Sequence, residues 1–520
     1  MTFVRVRVDE TGWAIATPHF LATEAGADAL GRGGNALDAA LAAAASLTVV
    51  LPDNCGVGGD LIALVRDPSG ESTVVNASGP AAMRTSPDDL RRRHGVEMPL
   101  FGPETVTVPG LLAGWEALWA RGARLPWADA FTAAVVQARD GVPIARSVAN
   151  ALADQPARLR ADEGMRELFY PDGEPLPAGA ALRQPRLADT LEQIAAAGTR
   201  AFYDGDLGAR WLANLASALT ADDLASFEPE VTTPLRAIRG GQEVLTAPPN
   251  SQGVLLLLIL GALDPDDAVL DPLTADAPRL AAAFDDAARA RDGFLADPRF
   301  TDAPDELLAR VLDGSPAASP SASTTTPRPT PRGDTVAIVA ADGEGRAVSL
   351  IQSLYYAFGA GILDPATGIS AHNRGSFFRL DPSSPNVIAP GKRPAHTLMP
   401  AIVEEHGSLR AVLGTMGGAG QPEILTHVLL HLRRGLSCES AVAAPRWLLK
   451  PDEGGAATLV AAEPAVPADA ITALSAAGWP TRKVSAARGE AGEAQLIVRH
   501  PGGSYEAASD PRSQGAARTS

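Results

Sequence analysis

The chain has 520 residues, 46% of them apolar, and a formal net charge of −17 from 61 acidic and 44 basic residues. That is enough apolar material for a large core, either as one big layered unit or as two or more domains. The acidic excess is spread along the chain and no basic cluster stands against it, which disfavours nucleic-acid binding.

The N-terminus, MTFVRVRVDE, lacks the apolar stretch of a signal peptide, so a cytoplasmic protein is expected. Val4, Val6 and Val8 alternate with polar residues and predict an early strand, and residues 13–16 predict a second. Thr23 is placed to cap a helix through about Leu30, which Gly31, Gly33 and Gly34 would end. Asn35 then starts a very Ala-rich helix through about Thr48, expected to be buried between layers. The loop of Gly56, Gly58 and Gly59 precedes a strand, so it is not a dinucleotide fingerprint. Segments 61–65 and 72–77, joined by the turn PSGE (68–71), predict a β-hairpin. Cys55, just before that loop, has no nearby His to make it a nucleophile. With Cys438 it permits one disulfide and no disulfide framework.

Residues 110–300 read mostly as helix, with segments at 111–120, 127–139, 190–197 and 279–295. A strand at 243–247 runs into the turn PPNSQG (248–253). The apolar run at 254–263 is too short to span a bilayer and reads as a buried helix, so no membrane association is expected. Segment 313–333, DGSPAASPSASTTTPRPTPRG, cannot bury enough surface to offset its ordering entropy and reads as a disordered tail or linker. Directly after it, TVAIVA (335–340) and residues 346–353 predict two strands around the turn ADGEG (341–345). A strand that abuts such a tail is a place where a chain can be cut without harm to its core. A Gly-rich turn at 413–423, helices at 424–436 and 469–477, and a strand at 496–499 complete the reading.

The junction of Asp334 and Thr335 is the feature with chemistry in it. A Thr hydroxyl is a weak nucleophile and needs an adjacent base. A free α-amine on the same residue, with a reference pKa of about 8, supplies one without any His. Exposing that amine means cutting the bond before the Thr, which the hydroxyl itself can do by attacking the preceding carbonyl. Such chemistry needs an oxyanion site, and the backbone N–H groups of Gly417 and Gly418 are candidates. No Cys/His cluster has metal-ligand spacing, so no metal and no organic cofactor are expected.

Several long segments, in order, resemble the γ-glutamyltransferase family. They are residues 21–60, VTVPGLLAGWEALWARG (106–122), APPNSQG (247–253), FLADPRF (294–300), residues 334–378, GKRPAHTLMPAIV (391–403), GTMGGAGQPE (414–423) and APRW (444–447). The resemblance implies an α+β N-terminal-nucleophile hydrolase fold, a four-layer αββα sandwich with two stacked, mainly antiparallel sheets. It implies a proenzyme cut into a large subunit, 1–334 with its tail 313–333, and a small subunit, 335–520, which stay associated as one folded unit. It places the nucleophile on Thr335, the supporting hydroxyl on Ser353, and the oxyanion glycines on Gly417 and Gly418. A homo-oligomer is left open.

The recognition shell departs from the family pattern. The usual Thr-Thr-His reads Thr335-Val336-Ala337, and VVNASGPAA (74–82) lacks the Arg that binds the glutamyl carboxylate. The family's Asn falls on Tyr355, its Gln and Asp on Arg374 and Phe377, and its serine pair on His396 and Thr397. The pattern resembles a divergent branch that includes oxamate amidohydrolase-like members. Tyr355, Arg374, His396 and Thr397 are therefore expected to bind the substrate, with Arg374 as a clamp for an anionic group. The expected activity is hydrolysis, or acyl transfer, of a carboxylate-bearing amide such as a γ-glutamyl compound or glutathione. The alternative is an unprocessed pseudoenzyme that binds a small anion or a protein.

Overall fold

The computed structural model describes residues 12–239, 241–263, 270–313, 333–452, 458–485 and 489–520. The expected strand at 4–8 and the tail proper, 314–332, lie outside them. Two antiparallel sheets form the centre. The first has seven strands in the order Ala516–Thr519, Ala14–Thr17, Gly333–Ala341, Ala347–Tyr356, Asp60–Arg66, Ser72–Ala77, Glu230–Thr232. The second has six, in the order Tyr505–Ser509, Glu493–Arg499, Ser408–Met416, Ala401–Glu405, Gln242–Thr246, Leu235–Arg239.

Strand periodicity explains the layering, because alternate side chains leave opposite faces of a sheet. Along Gly333–Ala341, Ala337, Val339 and Ala341 meet Ile402, Val412 and Ile497 of the other sheet. Val336, Ile338 and Ala340 face the other way, into a core that includes the helix Ala36–Val50. On the second sheet, Val412 points to the inter-sheet core, whereas Ala411 and Leu413 share a core with the helices Gly253–Ala262, Ala277–Phe294 and Gln421–Arg433. The result is a four-layer αββα sandwich. Each aliphatic side chain buried this way contributes about 1.5–3 kcal/mol relative to exposure, so the inter-sheet seam alone is a large stabilising term.

Most sequence expectations are met in place, with physical reasons where they shift. Asn35 caps Ala36–Val50, with Asp38 completing a capping box. The helix expected to start at Thr23 runs Phe20–Gly31 and is capped by His19, whose Nδ1 accepts the Leu21 N–H. Thr23 instead bonds Thr17 Oγ1 at 2.8 Å, within the helix rather than before it. The expected helix at 127–139 is split into a 3-10 segment, Trp127–Phe131, and a helix, Thr132–Asp140. The strand expected from Thr335 begins at Gly333, so the Asp334–Thr335 peptide lies inside a strand. Both cysteines are free, buried thiols. Among the described residues no helix is long and apolar enough to cross a membrane.

Candidate active site

Thr335 lies in a central strand, paired with Ala347–Tyr356 on one side; across the other edge that strand meets Ala14–Thr17. The pairing with Ala347–Tyr356 breaks between Gln352 and Tyr355, a bulge that re-aims Ser353. Ser353 Oγ lies 2.7 Å from the Asp334 carbonyl oxygen, 2.7 Å from the Tyr355 nitrogen and 3.1 Å from Thr335 Oγ1. These contacts fix the protons. A carbonyl only accepts, so the single Ser353 proton goes to Asp334. Ser353 then accepts from the Tyr355 N–H and from the Thr335 hydroxyl, so Thr335 Oγ1 is left with its lone pairs unengaged by this serine. Room for the bulge comes from the expected glycine loop: a Cβ on Gly59 would stand 2.5 Å from the Ser353 carbonyl oxygen.

The strand Ser408–Met416 of the other sheet ends in the Gly417–Gly418 turn, which the Thr335 strand touches. Both glycines have positive φ, +143° and +56°, and a Cβ on Gly417 would meet Ile424 Cδ1 at 2.3 Å. Among the described residues neither N–H meets a protein acceptor. Gln252 steadies the turn from behind: its amide donates to the Gly418 carbonyl at 2.9 Å and to the Thr397 carbonyl at 2.7 Å. Sequence reasoning placed Gln252 in a turn and in a family-like segment, APPNSQG (247–253), but missed this brace, which joins segments 166 residues apart.

The expected substrate clamp, Arg374, is engaged within the chain. It is fully buried; its Nε and Nη2 donate to Asp60 at 2.9 and 3.2 Å and its Nη1 donates to Thr397 Oγ1 at 3.0 Å. The anion that Arg374 holds is therefore Asp60, a residue absent from the sequence-based candidates. The available signal was an acid opening the otherwise apolar strand DLIALV. Burial alone would raise the Asp60 carboxyl, but Arg374 and His396 outweigh it and hold the carboxyl well below its usual range.

His396 completes the group. Its Nδ1 accepts the Leu398 N–H at 3.2 Å, so its proton sits on Nε2 and is donated to Asp60 Oδ2 at 2.8 Å. Burial, aided by Arg374 and opposed by Asp60, lowers its pKa to about 4. His372 Nδ1 stands 3.5 Å from the same carboxylate oxygen. Tyr355, at φ +83°, covers the guanidinium of Arg374 with its ring, 4.2 Å from the centroid, and stacks on Tyr356.

A cleft of about 260 Å³ opens beside these groups, lined by Tyr355, Phe377, Thr397, Gly418, Glu423 and Lys450 among others. Burial pushes the Glu423 carboxyl up to about 7 and lowers the Lys450 ammonium. A second cavity, about 320 Å³, reaches Asp334 from another side, past Asp53 and Glu493. Cys55 is no competing nucleophile, because burial pushes its thiol up. Among the described residues no cluster of three His, Cys, Asp or Glu side chains is placed to hold a metal ion.

Residues 22–520 match the family model described as gamma-glutamyltranspeptidase. The chain is 35% identical, over 536 aligned positions and 98% of each chain, to the oxamate amidohydrolase proenzyme of Klebsiella pneumoniae. It is 35% identical over 456 positions, 84% of each chain, to a glutathione hydrolase-like proenzyme of Bacillus subtilis. Among solved structures it superposes on a cephalosporin acylase from Bacillus halodurans with a TM-score of 0.88 at 31% identity, covering 100% of this chain and 97% of that one.

Proposed function

The chain belongs to the gamma-glutamyltranspeptidase family of N-terminal-nucleophile amidohydrolases and acyltransferases, and from that premise we propose that it is a precursor that cuts itself between Asp334 and Thr335 and then hydrolyses a carboxylate-bearing amide through an acyl–Thr335 intermediate. The observation that carries this reading is the hydrogen-bonded triangle of Asp334 carbonyl, Ser353 hydroxyl and Thr335 hydroxyl.

In self-cleavage, Thr335 Oγ1 attacks the Asp334 carbonyl carbon. The Ser353 O–H already donates to the oxygen on which negative charge develops. The C–N bond breaks, the nitrogen keeps its electron pair and takes up the proton that the Thr335 hydroxyl gives up on attack, becoming the α-amine, and an ester links Asp334 to Thr335. Water then hydrolyses the ester, giving the Asp334 carboxylate and a free Thr335 hydroxyl. Removing one preorganised donor of this kind costs about 10²–10³-fold in rate.

In turnover, the Thr335 α-amine takes the proton of its own hydroxyl as that oxygen attacks the substrate carbonyl. The Gly417 and Gly418 N–H groups receive the oxyanion. The α-ammonium passes its proton to the departing amine, and water or an amine acceptor takes the acyl group. Strand order supports lasting association of the two pieces: the 335–341 segment lies between Ala14–Thr17 and Ala347–Tyr356, so both subunits share one sheet.

Electrophoresis and N-terminal sequencing of purified protein test this reading. Bands for 1–334 and 335–520 are expected, the smaller starting at Thr335, together with amide hydrolysis that Thr335→Ala abolishes. A wild-type chain that stays intact and inert on incubation sinks the proposal and leaves a binding protein.

A further inference from the structure

Self-cleavage ends with water attacking the Asp334 ester, and that water needs a way in and a base. Asp334 lines the second cavity and does not line the substrate cleft. At about 320 Å³ the cavity has ample room for water. Asp53 lines it too, and backbone contacts fix its place. The Asp53 carbonyl accepts the Phe358 N–H at 2.9 Å, and the Asn54 carbonyl accepts the Leu354 N–H at 2.9 Å. Leu354 follows Ser353, whose Oγ lies 2.7 Å from the Asp334 carbonyl oxygen, and Tyr355 is the strand partner of Asp334. Asp53 is thus stitched to the stretch of chain that faces the scissile carbonyl. It is 2% exposed, and its Oδ1 has no hydrogen-bond partner among the described residues. A buried carboxyl oxygen left this way calls for a water. No cation pairs with Asp53 among the described residues. The charged groups that share its cavity are Arg146, Asp154, Asp334, Glu493 and Arg512. Arg512 is engaged by Glu463 and Asp510, and burial pushes Glu493 up to about 8. Cys55, next in the chain, stays a neutral thiol. Burial outweighs the N–H groups of Asp53 and Asn54 and raises the Asp53 carboxyl to about 7, a value suited to taking and returning a proton at neutral pH.

We infer that Asp53 is the base for the second half of self-cleavage: it holds a water in this cavity and takes a proton from it as the water attacks the Asp334 ester. This deepens the proposed function and rests on it. The water oxygen bonds to the Asp334 carbonyl carbon while one of its protons passes to the Asp53 carboxylate. The tetrahedral centre then collapses. The bond from that carbon to Thr335 Oγ1 breaks, and Oγ1 keeps the electron pair and takes the proton back from Asp53. Asp53 is restored as a carboxylate, and the new Asp334 acid gives its remaining proton to solvent.

The test makes the full chain by pulse-labelled cell-free synthesis, so that uncut precursor is present at the start, and follows the cut on gels. Asp53→Asn should cut about 10²-fold or more slowly than the wild type. Hydroxylamine attacks an ester without help from a base. It should restore cutting in Asp53→Asn and leave a hydroxamate on Asp334, read by mass spectrometry. It should not restore Ser353→Ala, which fails before the ester forms. The wild-type rate should rise about ten-fold between about pH 6 and 8, and Asp53→Asn should lose that rise. An Asp53→Asn chain that cuts at the wild-type rate, or one that is slow and indifferent to hydroxylamine, overturns the Asp53 assignment alone. If Asp53→Asn fails to fold, the wild type decides. Hydroxylamine should then speed its cutting at about pH 6, and a rate that is flat with pH and unmoved by hydroxylamine overturns the assignment. A wild-type chain that stays intact, or cutting that survives Thr335→Ala, overturns the proposed function along with it.

Discussion

The face of the Arg374 guanidinium lies 4.2 Å from the centroid of the Tyr355 ring while its edge holds Asp60 through two N–H groups. Tyr355 occupies positive φ at the bulge that aims Ser353, and its N–H is one of the Ser353 partners. A non-glycine residue in that region costs on the order of 1–3 kcal/mol. A desolvated cation–π contact of about 2 kcal/mol offsets this. Asp60, opposite Ser353 in the neighbouring strand, thus supports the bulge through Arg374 as well as through the sheet.

Arg374→Met should leave Asp60 buried with only histidines beside it. The expected loss is about 3–5 kcal/mol of folding stability. It should be measured by denaturant unfolding in a Thr335→Ala background, so that processing does not confound it. Adding Asp60→Asn should recover part of the loss, because the uncompensated charge goes. A single variant as stable as its parent contradicts this account.

Ser353→Ala should slow self-cleavage by about 10²–10³-fold, the cost of one lost donor to the developing oxyanion. Ser353→Thr keeps the hydroxyl and should process far faster than Ser353→Ala. The readout is the rate at which the bands for 1–334 and 335–520 appear. Equal rates for the two variants would remove Ser353 from the chemistry.

Gly417→Ala introduces a Cβ that meets Ile424 Cδ1 at 2.3 Å on backbone that L residues rarely adopt. The turn has to shift, and its N–H groups with it. In the processed enzyme kcat should fall by about 10²-fold or more, with a smaller change in KM. An unaltered kcat would place the oxyanion site elsewhere.

Burial raises Asp53 and Glu423 to about 7 and Glu493 to about 8. These groups keep a proton in the folded chain at pH values where the unfolded chain has lost it. Their contribution is fully present below the unfolded carboxyl pKa and is lost as pH rises through the folded values. The buried histidines, such as His396, shift the other way; an unfolded imidazole is half protonated at about pH 6.5, so their opposing contribution fades only above about pH 7. Between about pH 7 and 8 the melting temperature should therefore fall with rising pH. Each fully protonated group contributes about 1.4 kcal/mol per pH unit. Glu493→Gln should flatten the fall; a melting temperature that climbs over this window refutes the assignment.

Local signals carried much of the outcome. Alternation along 335–341, the Asn35 cap, the hairpin around 68–71 and the glycine turn at 417–418 are written in short stretches of chain, and the structure places strands, cap and turn there. The order of the longer motifs pointed to the family, and with it to the Thr335 strand as the centre of the molecule. What a residue does at its position and whom it touches are different questions, and only the first is local. Arg374 reads as a substrate clamp from sequence; the partner that engages it is Asp60, 314 residues away. Gln252 reads as part of a turn; it braces Gly418 from 166 residues away. Periodicity tells which face a side chain leaves. Which groups share a buried site depends on how two sheets stack, and there Arg374 and Asp60 each find the partner that offsets the cost of desolvation.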